Sequence, residues 1–60
     1  MEKIFLIDEA SDISRMSVAW WRRRILLKEI RYLKIGGRVF IPESTIIDLF
    51  KNAIVEPIRD

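Results

Sequence analysis

The sequence predicts a small α+β fold, and three observations carry that prediction. From Val18 to about Leu27 the apolar residues Val18, Trp21 and Ile25 recur at helical spacing. Gly36-Gly37 then separates two runs rich in β-branched and aromatic residues, Ile30–Ile35 and Arg38–Ile41, which is the pattern of a hairpin. Ile46, Leu49, Phe50 and Ala53 mark a further amphipathic helix. A chain of 60 residues without cysteine has little apolar surface to bury and no disulfide to help it. It is therefore read as one domain spanning 1–60, closing on a single core.

Taken in order, Lys3 to Ile7 is a short apolar run, read as a brief strand or an extended lead-in. Asp8 to Ser14 reads as a short helix, because Asp8 and Glu9 suit the positive end of a helix dipole. Ile7, Ala10 and Ile13 supply its buried side at three-residue spacing. Ser14 to Ser17 makes the turn, with Met16 as its buried residue. Ser17 is a good N-cap for the second helix, since its hydroxyl accepts from a free N–H of the first turn. Two short helices joined this way describe a helix-turn-helix. On the second helix Val18, Trp21 and Ile25 face the core, Ala19, Arg22 and Arg23 face away, and Trp20 and Arg24 lie on the flanks. Trp21 is read as core; Trp20 is left between capping the core, stacking on Arg24 and touching a ligand.

The hairpin loop admits two registers. A two-residue Gly36-Gly37 loop pairs Ile35 with Arg38 and Leu33 with Phe40. A three-residue loop, 36–38, pairs Ile35 with Val39 and Leu33 with Ile41, which puts four aliphatic residues on one face. The side-chain pattern favours the second, with Arg38 at the tip. Pro42 suits the first position of the last helix, and Pro57 is expected to end it, leaving 58–60 as a tail.

Composition narrows the function. With no histidine or cysteine the common zinc-finger spacings are excluded, and the acids are scattered without an evident pocket. Asp8, Glu9 and Asp12 are explained by a helix first turn, and Gly36-Gly37 is no phosphate loop because no helix N-terminus follows it. The expectation is a non-enzyme with no catalytic residues, metal, cofactor or small-molecule substrate. No apolar run reaches membrane-spanning length, and Lys3 and Asp8 interrupt any signal-peptide core, so a soluble cytoplasmic protein is expected. The net charge of +2 hides an uneven distribution. From Arg15 to Arg38 there are eight basic residues and one acid, Glu29, whereas the rest of the chain holds three basic and eight acidic residues. A basic centre of this kind is the footprint of nucleic-acid binding, although other acidic partners would read similarly. The Arg22-Arg23-Arg24 run is either a solvated face or a surface that meets an anion, since adjacent like charges repel.

At this point the residues resemble the excisionase-like winged helix-turn-helix family, related to the DNA-binding head of mercury-resistance (MerR-type) regulators. The resemblance runs from about Phe5 to Phe50 and rests on an ensemble: Asp8-Glu9-Ala10, Met16-Ser17, Lys34-Ile35-Gly36-Gly37-Arg38 and Ile41-Pro42. It implies a second helix in the DNA major groove and a hairpin wing against the backbone or minor groove. Carried over by position, this nominates Ala19, Trp20 and Arg23 for the groove and Lys34 and Arg38 for the wing; the full expected DNA-binding set is Ser17, Ala19, Trp20, Arg22, Arg23 and Arg24 on the helix and Lys34, Gly36, Gly37 and Arg38 on the wing. It further implies a recombination directionality factor that binds repeated sites on double-stranded DNA, self-associates cooperatively there, bends it, and works with an integrase or other recombinase. Such a protein would sit on the nucleoid. A small MerR-like transcriptional regulator of a phage or mobile element is the runner-up, and a protein-binding adaptor using its basic face is the alternative from another class. The chain departs from the family pattern at Arg24 (usually large and apolar), Trp20 (usually small and polar) and Ser14 (a buried leucine, for which Ile13 would substitute). Lys28 stands where a glycine is frequent and Phe40 where a basic residue is common.

Overall fold

The computed structural model describes residues 1–57. The elements run β1 (Ile4–Leu6), α1 (Ile7–Ser14), α2 (Val18–Leu26), β2 (Leu33–Ile35), β3 (Arg38–Pro42) and α3 (Glu43–Ala53). The strands form one antiparallel sheet in the order β1-β3-β2, so the chain's first strand closes on the far side of the hairpin. Three helices on a three-stranded sheet make a small α+β fold, as the apolar periodicities predict. Ala10, Trp21, Ile41 and Ile46 form the buried centre, one from each of α1, α2, β3 and α3. Phe5, Ile7, Trp20, Ile25, Ile30, Tyr32, Val39 and Leu49 pack around it.

The turn between α1 and α2 is held by hydroxyls rather than by a buried side chain. Ser11 Oγ donates to the Met16 carbonyl at 2.7 Å, Ser14 Oγ accepts from the Met16 N–H at 3.1 Å, and Ser17 Oγ caps α2 by accepting from the Trp20 N–H at 3.0 Å. Met16 is consequently at the surface, against the expectation that it is buried. Ile13 is also corrected, being 45 % exposed. The place beside Trp21 goes to Ser14, whose Oγ accepts from the indole Nε1–H at 2.9 Å, so a serine and not Ile13 serves where the family pattern has leucine. A fully buried tryptophan needs a partner for that N–H, and a leucine would deny it one.

The hairpin corrects the three-residue loop. Ile35 pairs with Arg38, Lys34 with Val39 and Leu33 with Phe40, leaving Gly36-Gly37 alone in the turn. Both glycines have positive φ, 57° and 81°, the combination that matches a two-residue turn to the right-handed twist of its strands. Backbone geometry thus outweighs the gain from gathering aliphatic side chains. Val39 and Ile41 turn inward, while Leu33, Ile35 and Phe40 lie on the opposite face with Ile4 and Leu6. β2 begins at Leu33 rather than Ile30, because Ile30 and Tyr32 are drawn onto the core.

Pro42 is the last residue of β3 and the N-cap of α3, one position earlier than expected. Its helix is started by a distant segment: the Glu2 carboxylate accepts from the Ser44 N–H and the Lys3 carbonyl from the Glu43 N–H, both at 2.9 Å. Thr45, buried, donates its hydroxyl to the Arg31 carbonyl at 2.9 Å. Pro57 does not end this helix. It stops at Ala53, with Ile54 already extended at φ −67° and ψ 126°: past Leu49 the helix leaves the core, and Phe50, Ile54 and Val55 are exposed. The expected tail over 58–60 lies outside the described residues.

Candidate nucleic-acid interface

The exposed side of α2 is the one that helical periodicity assigns. Val18 and Ile25 are half-buried and Trp21 is fully buried, so Ala19, Arg22 and Arg23 stand in solvent and Trp20 and Arg24 lie between. Ser17 caps the helix from the same exposed end, its hydroxyl oxygen accepting from the Trp20 N–H. Ala19, Arg22, Arg23 and Leu26 follow at i, i+3, i+4 and i+7, and Leu26 is 79 % exposed. Leu26 is the residue that sequence reasoning missed. Its signal was present, since continuing the outward stripe from Ala19 by one more turn reaches it.

Across from this face stands the hairpin. A groove between them is lined by Leu6, Ile7, Ile25, Leu26 and Val39, with Arg22 on the helix side and Arg38 on the strand side. Asp8 also reaches the groove, one acid against two guanidiniums. The tertiary fold therefore brings together Arg22 and Arg38, sixteen positions apart in the chain. Lys34 is exposed but is not part of that lining; pairing with Val39 puts it on the other face of the hairpin from Arg38. Gly36 and Gly37 form the tip, and a Cβ at either would meet no atom within 4 Å, so what demands glycine there is positive φ rather than crowding.

Arg24 and Trp20 are engaged within the fold. The guanidinium carbon of Arg24 lies 4.9 Å from the Trp20 ring centroid, and Trp20 meets Trp21 edge-on at 5.2 Å. Arg24 Nη1 donates to Glu29 at 3.0 Å to Oε2 and 3.3 Å to Oε1. This cluster sits on the end of α2, where the Glu29 N–H donates to the Arg24 carbonyl and the Lys28 N–H to the Ile25 carbonyl. That pair of bonds is a Schellman cap, with Lys28 at φ 56° in the place a glycine usually takes.

No family model, curated protein or solved structure matches the chain. The site must therefore be judged on its own chemistry. Among the described residues no group of three His, Cys, Asp or Glu is placed to hold a metal ion. No helix among them is long and apolar enough to cross a membrane. What the surface offers is an open apolar groove with a guanidinium on each side, Arg22 and Arg38.

Proposed function

We propose that this chain binds double-stranded DNA, using the layout as a winged helix-turn-helix with α2 as the recognition helix and the β2–β3 hairpin as the wing. The observation that carries the reading is the convergence of Arg22 and Arg38 on one groove beside the exposed Arg23. Arg22, Arg38 and Lys34 neutralise phosphates and set the register. Arg23 reaches a guanine edge, and Leu26 meets a thymine methyl in the major groove. None of these roles requires chemistry from the protein, so it is read as a non-enzyme without cofactor. With the resemblance stated above, the favoured role is an excisionase that bends repeated sites and directs a recombinase, placing the protein on the cytoplasmic nucleoid. A bend costs a few kcal/mol, about 1–6 for a short site, and is offset by the added contacts. A transcriptional regulator uses the same surface.

The adaptor reading has its own observation, the outer sheet face where Ile4, Leu6, Leu33 and Ile35 are between 37 and 55 % exposed. Salt separates the two classes. Arg22→Ala with Arg38→Ala is expected to weaken binding to any duplex alike and to lower the slope of log K against log salt by about two units. Arg23→Ala should instead lose about 1–3 kcal/mol on the cognate site and relax preference at one base pair. Both are read by fluorescence anisotropy across a salt series, and a slope unmoved by the double change removes the groove from the DNA. Excision of an integrated element by its recombinase, with and without this protein, decides between excisionase and regulator.

A further inference from the structure

We propose that Glu29 is a built-in counter-ligand that holds Arg24 away from phosphate and so limits the sequence-independent DNA affinity of this chain; the proposal rests on the DNA-binding reading above. Glu29 is the one acid between Arg15 and Arg38, and it is spent on a single partner. Two independent links fix it there. The main-chain bond from the Glu29 N–H to the Arg24 carbonyl, 2.9 Å, closes the end of α2, and the side-chain pair at 3.0 Å lies over it. In a cap of this kind those two positions usually make an apolar contact, and here an ion pair takes its place. Trp20 supports the guanidinium from the preceding turn, so Arg24 is only 28 % exposed while its neighbours Arg22 and Arg23 stand in solvent.

The consequence follows from how charge drives non-specific binding. Each phosphate neutralised releases counterions and adds about 0.9 to the salt slope, independent of sequence. Arg24 can add its share only by leaving both the Glu29 carboxylate, which the cap holds beside it, and the face of Trp20. Three adjacent arginines would otherwise hold any duplex strongly. Glu29 takes one of the three out of that count and leaves Arg22 and Arg23 to act on the groove side.

The test is a double-variant cycle on the full chain with a short random-sequence duplex, measured over a salt series. Glu29→Gln should tighten binding by up to about eightfold at about 0.1 M salt and steepen the slope by about one unit. In an Arg24→Gln background the same change should do clearly less, keeping only the loss of Glu29's own repulsion from the phosphates, because no guanidinium remains to release. The main-chain bonds of the cap survive both substitutions, and a thermal melt of each variant verifies the fold. If Glu29→Gln leaves the slope unchanged, or acts equally with and without Arg24, Glu29 is no counter-ligand and the proposal falls while the DNA reading stands. If the unaltered chain and every variant fail to bind duplex at low salt, both fall together.

Discussion

Ser14→Ala tests the contact that joins the two helices beneath the proposed interface. The Ser14 hydroxyl accepts from the Trp21 indole at 2.9 Å and from the Met16 N–H at 3.1 Å. Removing it leaves the indole N–H of a fully buried residue without a partner, a loss of about 1–3 kcal/mol. The Met16 N–H is at the surface and turns to water, so it adds little. Alanine recovers up to about 0.5 kcal/mol through its better helix propensity at this helix end. The expected net cost is about 0.5–3 kcal/mol, which in a domain of this size lowers Tm by roughly 2–24 °C. Thermal and urea unfolding followed by tryptophan fluorescence measure it. Trp21→Phe removes the donor from the other side, so the double variant should cost clearly less than the sum of the two singles. Strict additivity, or a Ser14→Ala variant as stable as the parent, would refute a hydrogen bond that matters and leave Ser14 as a small residue making room.

Two further predictions follow from the helix ends. Lys28→Gly should relieve a left-handed backbone that costs a side-chain-bearing residue about 1–2 kcal/mol, offset in part by lost charge at the helix C-terminus and a freer unfolded chain. A Tm rise of roughly 2–6 °C is expected by calorimetry, and a fall would mean the Lys28 side chain makes a contact that outweighs the strain. The Glu2 carboxyl is held below its ordinary pKa by the Ser44 backbone N–H first, then by the Ser44 hydroxyl and the Arg31 charge. Because the folded value is the lower one, its stabilisation of α3 is present above the unfolded carboxyl pKa and is lost as pH falls through the folded value. Urea midpoints measured down an acid series should therefore converge for the parent and Glu2→Gln, with the parent ahead only at the higher pH.

Most of the framework was legible in the sequence because it rests on local rules. The 3.6-residue period of Val18, Trp21 and Ile25 is enough to place Trp21 inside and Arg22 and Arg23 outside, whatever packs on them. Ser17 as a cap and the hairpin at Gly36-Gly37 are likewise properties of a few adjacent residues. The hairpin register was legible too, but it needed the right weighting. Two consecutive glycines permit positive φ at both turn positions, and that backbone preference prevails over side-chain sorting. Tertiary structure alone decided what depends on residues far apart in the chain. Glu2 and Lys3 start α3 from about forty positions away, and that helix ends at Ala53, one turn past its last core residue Leu49, rather than at the proline. Over shorter spans too, the contact depends on how the elements meet: Ser14 accepts from the Trp21 indole where α1 meets α2, and Arg24 turns to Glu29 where the α2 cap brings them together. The groove shared by Arg22 and Arg38 exists because α1 packs against both α2 and β3, and no local pattern encodes that arrangement.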